Sequence, residues 1–344
     1  MTERRMPERR TFYARTAVDL LASACYALRF HPEESVVLMS AGETDRPVHG
    51  RFDLVPEPTA LRDQLEHLVT VAHRNGAPAV VLLVYSADRE LAVTVRRLLA
   101  EAVRHTGVTV PAALRAHDGR WYPLDDAADP TDPGTPYDLT SHPLVLQAVL
   151  EGRVIHGSRR ELQGSLVDVD PAQVEAVGRA AEEAMERFRG SLAPSTGEPA
   201  RTWGRAHLVQ EGHWVVDRVR RYLRDGARLS AEDVGRLVAA MVAIEVRDVA
   251  WAEMRHDNAA RHVELWRDVV RRTPLELRAA PAALLGFAAW LDGNGALAWC
   301  AVDRCQEAEP DYSLAGLLSQ ALAGGVPPSS WKPIDATTLP LFAG

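Results

Sequence analysis

The sequence contains little lysine and little cysteine. Its 344 residues include a single lysine, Lys332, and three cysteines, Cys25, Cys300 and Cys305. Three scattered thiols cannot form a disulfide framework, and none of them belongs to a C-x-x-C pair for zinc or redox chemistry. An odd number of cysteines is typical of a reducing compartment. We therefore expect unpaired cysteines and a cytoplasmic protein.

Long apolar runs are missing as well. No segment has the roughly 18 consecutive apolar residues that a transmembrane helix needs. The arginine-rich N-terminus, MTERRMPERRTFYART, is followed by an amphipathic segment with Asp19 and Arg29, and not by the apolar core of a signal peptide. We expect neither a membrane-spanning segment nor a membrane partner.

Asparagine and isoleucine are also scarce. They occur only at Asn75, Asn258, Asn294, Ile155, Ile244 and Ile334. Lysine, asparagine and isoleucine use AT-rich codons, so their scarcity indicates a gene from a GC-rich bacterium. This bias describes a genome and has no bearing on mechanism.

The signature motifs of common catalytic and cofactor sites are absent. The sequence has no G-x-S-x-G, no P-loop and no G-x-G-x-x-G. Its 12 histidines include no H-E-x-x-H and no pair at i,i+4, the spacing of a helical zinc site. We predict no catalytic residue, no cofactor and no bound metal. Whether the protein is an enzyme stays open, with a preference for a non-enzyme.

Apolar material, in contrast, is ample. Hydrophobic residues make up 47% of the chain and charged residues 25%, as in ordinary soluble proteins with a self-sufficient core. The net charge of −8 comes from 39 basic and 47 acidic residues. Broad nucleic-acid binding is disfavoured because it needs a net basic surface, although this balance leaves room for a local basic patch.

Apolar periodicity predicts the element order α-β-β-α-β-α-β-β up to about residue 125. Strands separated by helices of this length imply crossover connections and some parallel pairing. We predict an α/β N-terminal domain with a mixed, partly parallel sheet and helices on both faces. Every segment after residue 201 has helical periodicity, so an all-α C-terminal domain should follow.

Composition breaks suggest the boundaries of these domains. Proline and aspartate are concentrated in 125–136, and 190–200 has the composition of a flexible linker. We predict an α/β domain over 1–135, a helical connector and linker over 136–200, and a helical domain over 201–335. Within the last, 282–315 is similar to one tetratricopeptide repeat. It is either a packed helical hairpin or a concave surface for a peptide.

Polar residues that end the most apolar predicted strand are the best-placed candidates for a ligand site. Tyr85, Ser86 and Asp88 follow the run APAVVLLV. In open α/β sheets, ligands bind beyond the carboxyl ends of the strands. The alternative is structural, because Ser86 or Asp88 can also cap the next helix.

A second candidate group surrounds the first two strands. His31, Glu33 and Glu34 lie between the first helix and the first strand, and Arg51 and Asp53 share one face of the second strand. These residues could form a polar cluster at the sheet edge. Turn chemistry around the loop and an ion-pair ladder on the strand are the alternatives.

Three segments, in order, resemble the actinobacterial DUF4192 family. They are FHPEESVVLM after an apolar helix, PYDLTSHPLVLQAVLEGRVIHGSRREL, and LLGFAAWLDGNGALAWCAVDRCQEAEPDYSLAGLLSQAL with GVPPSSW behind it. The resemblance covers roughly residues 16–331 and agrees with the codon bias. The family name denotes an unknown function, so it implies no catalytic or binding residues.

Three functional hypotheses follow. The leading one is a non-catalytic protein that binds a protein partner through its helical C-terminal half or senses a ligand. The second is an enzyme or small-molecule binder with a site at the carboxyl ends of the sheet. The third is a nucleic-acid-associated regulator that uses the arginines of the N-terminal arm. A convergent pocket would favour a small molecule, whereas an apolar patch on the helical half would favour a partner. Self-association is compatible with each.

Overall fold

The computed structural model describes residues 14–44, 46–125, 129, 131–167, 170–189 and 204–342. The chain folds as two compact units, Met1–Leu162 and Gln163–Gly344. Residues 136–162, the start of the predicted connector, lie in the first unit. The division into three domains stays a prediction. The predicted linker at 190–200 and the arginines of the N-terminal arm before residue 14 lie outside the described residues.

The first unit contains a sheet of six strands. These are β1 (Ser35–Ala41), β2 (His49–Asp53), β3 (Ala79–Tyr85), β4 (Thr109–His117), β5 (Arg120–Pro123) and β6 (Thr135–Pro136). Its helices are α1 (Ala17–Leu28), α2 (Pro58–Arg74), α3 (Arg89–Val103) and α4 (Pro143–Leu150), and α5 (Arg159–Gly164) begins at its end. From α1 to β5, the element order is the predicted one.

The sheet has the strand order β2-β1-β3-β4-β5-β6. Only β3 and β4 pair in parallel, and the other neighbours pair antiparallel. The predicted mixed, partly parallel sheet is therefore confirmed. The apolar run that forms β3 is at the centre of the sheet, where both of its edges are hydrogen-bonded. α3 is the crossover helix between the two parallel strands.

One face of the sheet is covered by α2 and α3. Even-numbered residues of β1 and β3, such as Val36 and Val84, share a core with both helices. Leu65 of α2 and Val95 of α3 belong to the same core. The odd-numbered residues of the same strands face the other side because side chains alternate along a strand. Val37, Leu83 and Tyr85 are buried there.

Asp19 connects the start of α1 to the start of α4. Its carboxylate accepts hydrogen bonds from the backbone N–H groups of Arg15 and Thr16, while Thr16 caps the helix in return. The Nε2 atom of His142 lies 3.0 Å from Asp19 Oδ1, and Nδ1 of the same ring accepts from the N–H of Leu144. His142 is the N-cap of α4, so one side-chain pair holds two helix starts together.

The second unit is helical throughout its described part. It contains α6 (Pro171–Arg189), α7 (Arg205–Asp225), α8 (Ala231–Ala240), α9 (Ile244–Ala252), α10 (Ala259–Arg272), α11 (Ala279–Leu291), α12 (Gly295–Ala308) and α13 (Ser313–Ala323). Short 3-10 helices occur at Leu275–Leu277, Pro328–Ser330 and Ala336–Thr338. The predicted helix pair is present as α11 and α12, and every residue of α11 is buried. Within the described chain, no helix has the length and apolar character to cross a bilayer.

The protonation of Asp19 should control the acid stability of the first unit. Burial raises the pKa of this carboxyl, but the hydrogen bonds from Arg15, His142 and Thr16 outweigh it and lower the pKa from 3.8 to about 2. A carboxyl whose pKa is lower in the folded state stabilises the fold at pH values above its pKa in the unfolded chain. This stabilisation is lost as the pH falls through the pKa of the folded state. Asp19→Asn should therefore cost up to about 2 kcal/mol at neutral pH and flatten the loss of stability between about pH 4 and pH 2.

Urea unfolding at several pH values measures this effect. Asp63→Asn, an exposed position on α2, is the matched control. Equal pH profiles for the two variants would contradict the assignment.

The crossing of α6 and α8 requires glycine at 235. A Cβ atom at Gly235 would lie 2.5 Å from Ala180 Cβ and 2.7 Å from the carbonyl carbon of Ala180. Backbone atoms cannot move aside as a flexible side chain can, so Gly235→Ala should destabilise the helical unit by about 1–3 kcal/mol. Gly316→Ala on α13 faces open space and should stabilise by up to about 1 kcal/mol. Urea denaturation followed by circular dichroism compares the two, and equal midpoints would refute the close approach.

Candidate functional site

Glu34, Ser86 and Asp88 meet at the carboxyl edge of the sheet. Antiparallel pairing places the start of β1 beside the end of β3, with Ser35 opposite Tyr85. The hydroxyl of Ser86 donates to Glu34 Oε2 at 2.9 Å and accepts from the N–H of Asp88 at 3.1 Å. The sequence prediction placed these residues near one edge, and the structure brings them into contact.

This contact serves the turn and the helix start. Asp88 Oδ1 accepts from the N–H of Leu91 and caps α3, as the structural alternative expected. Glu34 has a φ of 35°, in the left-handed region, and its carbonyl accepts from the N–H of Leu54. Ser86 is only 3% exposed. Its hydroxyl therefore has no open approach for a substrate, and its partner is a carboxylate and not a histidine.

Arg51 and Asp53 of β2 form a separate group with the backbone of Glu33, which precedes β1. Arg51 Nη1 lies 2.5 Å from Asp53 Oδ1. Nη2 of the same guanidinium donates to the carbonyl of Glu33 at 3.5 Å. The strand ion pair is thus present, and the carboxylate of Asp53 is largely exposed.

His31 and Tyr85 lie near Cys25 of α1. The Nδ1 atom of His31 is 3.5 Å from Cys25 Sγ. Burial raises the pKa of the Cys25 thiol to about 12, which keeps it protonated at neutral pH and unsuitable as a nucleophile. Burial, followed by the nearby Cys25 and Tyr137, also raises the pKa of Tyr85 well above its usual value. This group resembles a catalytic pair in composition but lacks a reactive thiolate.

A cleft with a volume of about 350 Å³ lies on the α3 side of the sheet. Arg89, Arg96 and Arg97 of α3 line one wall, and Arg115 of β4 and Tyr122 of β5 line the floor. We call this the arginine cleft. The eight candidate residues predicted from the sequence do not line it, although Ser86 contacts Arg115 through its backbone.

The side chain of Arg115 is held between two backbone carbonyls and an aromatic ring. Its Nη1 donates to the carbonyls of Ser86 and Ala87, at 3.1 and 3.3 Å. Its guanidinium lies over the ring of Tyr122, with 3.9 Å from Cζ to the ring centroid. The ring is itself fixed by a close approach of Gly134, where a Cβ atom would lie 2.5 Å from the ring edge.

Arg115 is a buried cation without an acidic partner in the described chain. It is 7% exposed, and its Nε has no hydrogen-bond partner there. Buried charges in proteins are normally paired with an opposite charge. Two carbonyls and an aromatic face supply partial negative charge only, so the guanidinium retains capacity for an anion.

Three carboxylates stand on the remaining wall, in the segment after β5. They belong to Asp125, Asp129 and Asp132. Asp129 accepts from the N–H and hydroxyl of Thr131, which lowers the pKa of its carboxyl; Arg89 adds a weaker effect. Asp132 accepts from the N–H of Gly134. Two of the three acids are thus used to shape the loop, and neither forms an ion pair with the cleft arginines in the described structure.

Two sequence signals could have revealed the arginine cleft. Arg115 is the only charged residue in the strand run VTVPAALRA, which is otherwise apolar apart from one threonine. Arg89, Arg96 and Arg97 are spaced i, i+7 and i+8, so they share one face of a helix. No group of three or more histidine, cysteine, aspartate or glutamate side chains that could hold a metal occurs among the residues with described positions.

Comparison with known proteins identifies a family and no function. A family model described as a domain of unknown function, DUF4192, matches residues 18–329. No curated protein and no solved structure matches the chain.

The contact between Ser86 and Glu34 should be a stability contact. Ser86→Ala removes a donor to a carboxylate and an acceptor for the N–H of Asp88, and should lower the unfolding free energy of the first unit by about 1–3 kcal/mol. Ser141→Ala, at an exposed position, is the control and should have little effect. Urea unfolding is the measurement. An unchanged midpoint in Ser86→Ala would show that the hydroxyl is free for another role.

Proposed function

The chain belongs to the DUF4192 family, whose description assigns no activity, and we propose that it is a ligand-sensing protein that binds a small anionic molecule in the arginine cleft. The observation that carries this proposal is the buried guanidinium of Arg115, which has no acidic partner in the described chain. A bound anion would supply the missing charge. The volume of about 350 Å³ is within the range of small-molecule sites.

The lining of the cleft favours binding over catalysis. The described lining residues are arginine, aspartate, tyrosine and apolar types, without cysteine, histidine or serine. A cleft of this kind can bind and orient an anion, but it offers few groups for nucleophilic attack or for proton transfer near neutral pH. The enzyme alternative therefore has less support than ligand sensing.

The partner-binding alternative rests on exposed apolar side chains. In the second unit, the large exposed apolar residues of the described part are spread over several separate segments: Val167, Val242, Ile244, Leu275, Trp299, Leu317 and Val326. α11 of the repeat-like pair is buried along its length, so it offers no open surface to a peptide. The densest apolar exposure is on α4, at Leu146, Val149 and Leu150. This distribution gives the helical half little support as a docking surface.

The N-terminal arm, on which the nucleic-acid alternative depends, lies outside the described residues. The net charge of −8 argues against that alternative. The proposal keeps three expectations from the sequence. They are an actinobacterial source, a cytoplasmic location and a tetratricopeptide-like character of α11 and α12.

Phosphate should stabilise the first unit through the arginine cleft. At a hundred times its dissociation constant, a ligand adds about 2.7 kcal/mol, and each kcal/mol shifts the midpoint of a unit this size by roughly 2–4 °C. We expect a rise of several degrees in sodium phosphate over sodium chloride of equal ionic strength. Thermal unfolding of the full chain, followed by circular dichroism, measures it.

Variants separate a site from a general salt effect, because phosphate also stabilises many proteins by exclusion from their surface. Arg115→Gln and Arg96→Gln should lose the phosphate increment, whereas Arg104→Gln, outside the cleft, should keep it. Arg96 is only half-buried, so its variant tests the proposal even if Arg115→Gln does not fold. An equal phosphate increment in wild type and all variants would overturn the proposal.

A further inference from the structure

Three of the four cleft arginines lie at two positions along α3. Arg89 is the first residue of the helix, and Arg96 and Arg97 follow seven and eight positions later. Seven residues advance about 10 Å along an α-helix and complete nearly two turns. The two ends of the cleft wall are therefore separated by about 10 Å and share one helix face.

Arg115 belongs to the end marked by Arg89. Its guanidinium donates to the carbonyls of Ser86 and Ala87, which directly precede the N-cap of α3. The first pair is thus Arg89 with Arg115, and the second pair is Arg96 with Arg97. In the described structure, no carboxylate oxygen lies within 4.0 Å of a guanidinium nitrogen of these four arginines.

An apolar side chain stands between the two pairs. Val93 lies one turn after Arg89 and one turn before Arg97, lines the same cleft, and is 45% exposed. Pro123 and Leu124 line the cleft as well. A ligand that fills the cleft would therefore place charge at its two ends and an uncharged segment in the middle.

The acidic wall limits how charge can be distributed on such a ligand. Asp125, Asp129 and Asp132 line the cleft on the segment after β5. A continuous polyanion such as a nucleic-acid backbone would bring phosphates close to these carboxylates and be repelled. A short molecule with only two charged groups is repelled less than a polyanion, although Asp129, whose carboxyl pKa is lowered by its hydrogen bonds with Thr131, lies close enough to Arg89 for that cation to lower it as well.

Two guanidinium groups match a phosphoryl group better than a carboxylate. A phosphate monoester carries a charge of about −1.5 to −2 at neutral pH and three acceptor oxygens, and arginine binds such groups with two parallel hydrogen bonds. Each end offers two guanidinium groups to one phosphoryl group, whereas a carboxylate has oxygens for only one bidentate guanidinium.

We propose that the ligand of the arginine cleft is a small molecule with two phosphoryl-type groups about 10 Å apart, joined by an uncharged segment that contacts Val93. This inference rests on the proposed anion-binding function and specifies its ligand class. Arg89 and Arg115 bind one terminal group, and Arg96 and Arg97 bind the other.

Isothermal titration of the full chain with alkane bisphosphonates tests the proposal. The probes are ethane, pentane and octane chains with a phosphonate at each end, and octylphosphonate with only one. We expect octane bisphosphonate to bind at least tenfold more tightly than octylphosphonate and than the ethane compound. Arg96→Gln combined with Arg97→Gln should reduce its affinity to that of octylphosphonate, while Arg74→Gln combined with Arg104→Gln, both outside the cleft, should leave it unchanged.

The outcomes separate this inference from the function on which it rests. Equal affinity for octane bisphosphonate and octylphosphonate, with both lost in Arg115→Gln, would overturn the two-ended ligand and leave anion binding intact. No binding of any probe or of inorganic phosphate would overturn both proposals. Tighter binding of a single-stranded oligonucleotide than of the octane compound, abolished by the same cleft variants, would overturn the small-molecule assignment.

Discussion

The buried guanidinium of Arg115 is the group on which the site of the first unit depends. Removing an arginine from water is costly unless other dipoles and charges replace the solvent. The sheet supplies part of that replacement. Arg115 pairs with Val84 on the parallel neighbour and with Tyr122 on the antiparallel neighbour. The chain leaving β3 turns its carbonyls toward the cation, and β5 supplies the aromatic ring.

The parallel pairing of β3 and β4 has a second consequence. Parallel neighbours need a crossover, and here the crossover is α3, which packs on the face that carries Arg115. One side of α3 therefore borders the floor of the arginine cleft, which residues of β4 and β5 form. The arginines of α3 reach the cleft because the helix that closes the topology also forms its wall.

Features that depend on short segments could be predicted from the sequence, whereas contacts between distant segments could not. The order of the elements along the chain up to β5 and the cap by Asp88 follow from periodicity and capping rules within short windows, whereas the order of the strands in the sheet does not. The arginine cleft joins α3, β4, β5 and the segment after β5, so the convergence of its arginines depends on the fold. β6 was not predicted because two residues, Thr135 and Pro136, carry no periodicity; their pairing with Arg120 and Trp121 depends on the fold.

Three of the candidates proposed from the sequence lie together at the sheet edge, where they have structural roles. Polar residues at the carboxyl edge of a sheet must satisfy the backbone of the turns they belong to before any ligand arrives. Glu34, Ser86 and Asp88 do so with one another. A buried charged residue without an acidic partner in the described chain, such as Arg115, is a better guide to a ligand.

The net charge of the whole chain is a poor guide to the electrostatic interactions inside a binding site. The chain carries −8, which taken alone would predict repulsion of anions. Exposed charges more than about 8–10 Å away are largely screened at physiological ionic strength, whereas buried or partly buried charges are screened much less. An anion in the cleft would therefore interact chiefly with the four arginines and three aspartates that line it. Within that shell, two aspartates already accept hydrogen bonds from their own loop. The four arginines and three aspartates of the lining leave one net positive charge, and the sum over the chain cannot show that difference.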